Sequence, residues 1–202
     1  MDYSQKIIEA AALMFRTYGI RAVTMDMLAN ELGISKRTIY EKFRDKDEIL
    51  AGVLKWMAVK QREAFVKVFD ESENVIAAIF KLFEMMSEHF RNMSPAFRLD
   101  MEKYHNGLVK DLIVNDELPY SNNNTEMLKR GIKEGVFRKD IDISLTNQCL
   151  IEVLRLPGEK NIFRPENNSR NVFRDFYVNY LRGISTPKGL ELINYYNKKL
   201  TI

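Results

Sequence analysis

Residues 35–46, SKRTIYEKFRDK, hold five cations, two aliphatic hydroxyls and a phenol in one short stretch, opposed only by Glu41 and Asp45. Such groups recognise anions and polar edges. A lysine is a point charge for a phosphate oxygen, and an arginine is a flat fork that matches two acceptors at once. Ile39 and Phe43 lie four apart and share one face of a helix. At about 100° per residue that face points inward, while Arg37, Thr38 and Glu41 point away from it and Tyr40 and Lys42 lie on the flanks. Lys36 projects nearer the inward face, but in the first turn it reaches past the helix end.

These side chains need a frame. Gly33 follows TMDMLANEL, a run with helical spacing, and glycine is favoured just past a helix end. Ser35 stands where an N-cap belongs. Asp45, with Glu48 three residues on, reads as a further cap in an Asp-x-x-Glu variant of the capping box, opening a long helix. Upstream, Ile7, Ala11, Phe15 and Tyr18 recur at steps of three to four, an amphipathic helix ending at Gly19. Thr24 caps the next, in which Met25, Leu28, Ala29 and Leu32 face in. Three helices thus bury Phe15, Leu28, Leu32, Ile34, Ile39 and Phe43. Gly33-Ile34-Ser35 joins the last two as a helix-turn-helix, whose second helix enters a DNA major groove. Capped helix hairpins also occur in proteins that touch no DNA, so a merely solvated stripe stays open as the alternative. Likewise Thr24 and Ser35 can be caps alone, and Lys46 can be simply solvated.

The chain from about Ile7 to Leu50 resembles the tetracycline-repressor (TetR) family of bacterial transcription regulators. The residues carrying the resemblance are the alanine-rich first helix through Phe15 and Tyr18-Gly19, then Thr24, Leu28-Ala29, Leu32-Gly33-Ile34-Ser35, Thr38-Ile39-Tyr40, Phe43, Lys46 and Leu50. GIKEGVFRKDID, residues 131–142, is similar to a stretch of the family's effector-binding domains. Met27 departs from the pattern, since many members carry a polar residue there. The resemblance implies an all-α fold. An N-terminal helix-turn-helix DNA-binding domain over 1–46 is followed by a larger helical bundle over 47–202 for effector binding and dimerisation. It also implies operator contacts from Thr24, Ser35, Lys36, Arg37, Thr38, Tyr40, Lys42 and Lys46. Of these, Thr24, Tyr40 and Lys46 would hold phosphates.

Whole-chain composition sets the bounds. The 202 residues carry a net charge of only +3, and the first 50 balance eight Lys/Arg with eight Asp/Glu. The positive field is therefore local to 35–46, which suits a small footprint rather than a coating protein. Cys149 is the single cysteine, so no intramolecular disulfide is expected. No apolar run has the length of a membrane span, so a cytoplasmic protein with no membrane partner is expected. His89 and His105 are 16 apart without a ligand cluster, and no Gly-rich phosphate loop or nucleophile elbow appears; no metal, cofactor or enzyme activity is expected.

Past Leu50 the pattern stays helical. The fourth helix continues through Val68, and Asp70 or Ser72 opens a fifth that breaks at Ser94-Pro95. A sixth runs from about Phe97 to Val114, then a loop over 115–124, and a seventh from Thr125 to Glu134. An eighth is capped by Asp142 or Ser144, a ninth spans Arg170 to Arg182, and a tenth follows Thr186-Pro187 to about Lys199. Residues 80–104 are dense in Met and Phe, which can pack a core or line an adaptable cavity. By resemblance a small apolar or amphiphilic effector binds there, with Trp56, Phe83, Met86, Phe90, Met101, Tyr104 and His105 as lining candidates. Leu145, Cys149 and Val153 form one apolar stripe, and Phe173, Phe176, Tyr177 and Tyr180 a broad aromatic one. By resemblance these two helices pair with their copies in a homodimer, whose two reading heads face a palindromic operator.

The leading expectation is a ligand-responsive transcription regulator, a repressor, bound to double-stranded DNA. The alternatives are a helical interaction module with a non-functional helix-turn-helix and a DNA-binding regulator that needs no effector.

Overall fold

The computed structural model describes residues 3–114, 120–150 and 169–199. They are all-α: α1 Tyr3–Tyr18, α2 Met25–Leu32, α3 Lys36–Tyr40, α4 Lys46–Glu71, α5 Val75–Arg91, α6 Pro95–Tyr104, α7 Asn106–Val114, α8 Tyr120–Lys133, a helical stretch over 143–150 (α9), α10 Ser169–Ile184 and α11 Pro187–Lys199. No strand occurs among the described residues. One isolated antiparallel bridge pairs Phe137 with Ser185.

The chain forms two compact units. The first comprises Met1–Glu63 and Glu88–Pro119, the second Ala64–Ser87 and Tyr120–Ile202. In the first, Ile7, Phe15, Leu28, Ile39, Ile49 and Leu50 are wholly buried, with Phe43 and Phe97 beside them. Each such side chain contributes about 1.5–3 kcal/mol by leaving water. The helical periods therefore place the inward faces as expected, with one exception. Tyr18 is exposed rather than on the buried stripe. It lies about 60° off the direction of Phe15, at the last residue of α1, where no next turn covers it.

In the second unit Val75, Ile76, Phe80, Leu128, Val136, Phe137, Leu181 and Ile193 make the core. The GIKEGVF stretch has a packing role there. Val136 N–H donates to the Gly131 carbonyl at 2.9 Å, which folds the chain back so that Phe137 lies on α8. A Cβ at Gly131 would stand 2.1 Å from the Phe137 ring, so only glycine permits this approach. Arg138 N–H then donates to Ile184 O and Thr186 N–H to Val136 O, stitching this turn to the one between α10 and α11.

Boundaries differ at four places. α4 runs to Glu71, and α5 is capped by Asn74, whose Oδ1 accepts from Ala77 N–H at 2.8 Å, rather than by Asp70 or Ser72. The expected sixth helix is two, α6 and α7, broken where His105 adopts φ −123°, ψ 11° before Asn-Gly. The asparagines of 122–124 belong to α8, so tertiary packing overrides their weak helix propensity. α10 starts at Ser169.

Candidate nucleic-acid interface

The reading helix is placed by short-range hydrogen bonds. Thr24 Oγ1 accepts from Met27 N–H at 3.2 Å, which starts α2. At the far end of α2, Gly33 takes φ 63° and its N–H bonds back to Asn30 O at 3.2 Å. That left-handed residue turns the chain through Ile34 to Ser35, whose Oγ accepts from Thr38 N–H at 3.1 Å and also pairs with Thr38 Oγ1 at 2.9 Å. Asp45 Oδ1 accepts from Glu48 N–H at 2.9 Å, while Glu48 accepts from Arg44 N–H at 2.6 Å. Asp45 thus holds its carboxyl below the usual range, first through that backbone N–H and then through the Arg44 side chain.

With Ile39 wholly buried, Lys36, Arg37, Tyr40 and Lys42 are exposed and Thr38 is half-buried. The three capped starts and the polar stripe therefore belong to one unit, arranged as a helix-turn-helix requires. Their partners were only partly legible. Lys36 Nζ lies 2.9 Å from Asp26 Oδ2 on α2, and that hydrogen bond raises its pKa. Arg37 Nε donates to Glu41 Oε1 at 3.2 Å. Lys46 is neither freely solvated nor free for phosphate with all three protons. Its ammonium donates to Ile20 O and Val23 O, both at 3.0 Å, across the turn between α1 and α2.

The same turn is held from α6. Asp100, buried, accepts from Arg21 N–H at 2.8 Å, and Ser94 N–H donates to Arg16 O at 2.9 Å. Arg21 also donates to the Tyr104 hydroxyl at 3.0 Å, its guanidinium 4.5 Å from the ring centroid. Sequence reasoning missed Asp26, Glu41, Arg21 and Asp100. Glu41 could have been found from its i,i+4 spacing to Arg37. Asp100 is 79 residues from its partner and carries no such signal.

Comparison with known proteins agrees with this geometry. Residues 7–53 match the model of the bacterial regulatory proteins, tetR family. The HTH-type transcriptional repressor KstR2 of Rhodococcus jostii is 29% identical over 157 residues, 72% of each chain. The chain belongs to the TetR family. It is accordingly a DNA-binding transcription regulator. An uncharacterised HTH-type regulator of Bacillus subtilis, YhgD, is 37% identical over 93 residues, 44% of this chain; the match spans about half of that relative, 49%. The TetR-family fold also recurs in a regulator from Saccharomonospora viridis solved with choline, with a TM-score of 0.64 at 19% identity, covering 91% of this chain and 98% of that one.

The candidate effector residues of this TetR-family chain fall in both units. Trp56 and Met101 pack against the first unit's core, and His105 Nδ1 stands 3.5 Å from Asp47 Oδ1. Tyr104, expected to line a cavity, is exposed and turned to Arg21, because α6 ends there beside the α1–α2 turn. Phe83 packs in the second unit, its ring 5.7 Å from Tyr177. The side chains of Met86 and Phe90 lie outside the described residues. A cavity lined by Ile79, Phe80, Phe83, Tyr177, Val178 and Leu181 has a volume of about 10 Å³, room for about one water.

Of the expected dimer residues, Leu145, Cys149 and Phe176 are exposed on α9 and α10. Tyr177 is not: it is buried in its own unit, and burial pushes its phenol pKa up. One step of 100° from Phe176 turns it inward. Tyr180 is half-buried, donates to Thr146 O at 2.7 Å, and its phenol is pushed up to about 12 by burial. Val153 and the side chain of Phe173 lie outside the described residues. No helix among the described residues is long and apolar enough to cross a membrane.

Proposed function

We propose that this TetR-family regulator is a ligand-responsive repressor. It binds a palindromic operator as a homodimer in the cytoplasm, and a small apolar or amphiphilic effector releases it. Residues 1–46 read DNA, and 47–202 bind the effector and dimerise. The observation that carries the reading is the exposed stripe of Lys36, Arg37 and Tyr40 on α3 and Lys42 just past its end, held on a wholly buried Ile39 between capped helix starts. KstR2 is named a repressor, and a fold relative is described with choline bound; both favour repression under ligand control. The exposed Leu145 and Phe176 favour a dimer through α9 and α10. The cavity beside Phe83 holds about 10 Å³, so an effector entering there parts the stacked Phe83 and Tyr177 rings. The effector then acts through its differential affinity for the open and closed states.

The test is selection of bound duplex from a random pool, followed by competition with apolar and amphiphilic small molecules. A twofold-symmetric site should emerge, and Arg37→Ala should lose about 1–3 kcal/mol of discrimination at one base pair of each half-site. Enrichment of no site, or release by none of the compounds, would remove the repressor or the ligand-control part respectively.

A further inference from the structure

We infer that Glu41, outside the expected contact set, is a positioning residue for DNA reading, because its carboxylate engages the Nε edge of Arg37 and leaves the terminal nitrogens to present end-on to a guanine. The inference rests on the reading of α3 as the base-reading helix.

The geometry is specific to an arginine. Glu41 Oε1 accepts from Arg37 Nε at 3.2 Å, and the two terminal nitrogens of Arg37 make no bond among the described residues. The guanidinium is a rigid plane, so a partner on one edge fixes the direction of the others. With Nε occupied, the remaining pair of terminal N–H groups matches guanine O6 and N7 as a bidentate contact. Lys36 offers the contrast. Its ammonium also has a carboxylate, Asp26 at 2.9 Å, but an ammonium rotates freely and its pairing selects no reading edge.

Helix stability does not account for Glu41. It caps the C-terminal end of α3, where an acid is disfavoured by the helix dipole. Its basic partner precedes it, the less favourable order for an i,i+4 pair. Both side chains are largely exposed, 89% and 57%, so the pair adds little to the fold. An acid on a DNA-facing helix also repels phosphate. What it supplies is order: it removes rotamer freedom from a long side chain before docking, when that freedom would otherwise be lost.

The experiment compares four full-length proteins, the unaltered chain, Arg37→Ala, Glu41→Ala and Glu41→Gln, on a library of half-site variants at several salt concentrations. Glu41→Ala should lower base preference by about fivefold or more at the base pair that Arg37→Ala flattens, and leave the other positions unchanged. Glu41→Gln, whose amide oxygen still accepts from Nε, should retain most of that preference although it lacks the charge. Three outcomes overturn the inference: undiminished preference in Glu41→Ala; equal loss in Glu41→Ala and Glu41→Gln; or a uniform gain of affinity in both variants with preference intact, which makes Glu41 only a repelling charge. If Arg37→Ala itself keeps every preference, the base-reading role of Arg37 falls instead.

Discussion

Lys46 sits at the first turn of α4, yet its ammonium is bonded to the carbonyls of Ile20 and Val23. One of its three protons is left for a phosphate. Lys46→Ala should therefore do two things: destabilise the head by about 1–3 kcal/mol, through two carbonyls losing a charged partner, and weaken every DNA sequence alike, since phosphate contacts carry no base information. Thermal melting and the half-site library read these separately; an unchanged melt with a log-salt slope flatter by roughly one would make Lys46 a phosphate ligand alone. Asp45 gives a pH signature. Its folded pKa lies below its ordinary 3.8, so its stabilisation is present above that value and is lost as pH falls through the lowered one. Asp45→Asn keeps a capping oxygen but not the charge, and should flatten the acid limb of the melting curve. An acid limb identical to that of the unaltered protein would assign the pH dependence elsewhere.

Among the elements, α6 is the one whose role changes most from the sequence reading. Its Met101 and Tyr104 were expected to line an effector cavity; beyond that expectation, its Asp100 and Tyr104 hold the turn from which α2 starts. Asp100→Ala would strip the part-buried Arg21 N–H of its carboxylate acceptor, at a cost of about 1.5–3 kcal/mol for a hydrogen bond to a charged group. Differential hydrogen exchange at Arg21 should rise, with Thr24 and Met25 following; exchange unchanged at all three would show that α6 does not brace the turn. In the second unit the comparable contact is Gly131 against Phe137. Gly131→Ala must displace an aromatic ring from a wholly buried site, and overpacking of that kind costs about 1–3 kcal/mol. A melting temperature equal to that of the unaltered chain would show that the ring has room to move.

For the whole molecule, the proposed dimer makes the sharpest demand. Leu145 and Phe176 are exposed on α9 and α10, whereas Tyr177 serves its own core and Tyr180 bonds Thr146. Leu145→Glu with Phe176→Glu is therefore the clean variant, since neither side chain supports the fold of its own unit. Sedimentation should show a dimer for the unaltered protein and a monomer for the variant, with palindrome binding lost and the melt of the monomer little changed. A variant that remains dimeric would place the interface elsewhere.

What the sequence determined by itself is local. Thr24, Ser35 and Asp45 cap helices through bonds to N–H groups three residues on, and such bonds follow from residue type and spacing alone. The buried Ile7, Phe15, Leu28 and Ile39 follow from the 3.6-residue period, and the all-α class follows from both. Tertiary structure decided the partners of long side chains. Lys46 reaches carbonyls 23 and 26 residues back, and Asp100 and Tyr104 reach Arg21 across 79 and 83. A lysine or arginine in sequence carries its charge but not its direction. That direction is set by whichever acceptor the packed helices bring within reach, and no spacing rule spans such separations.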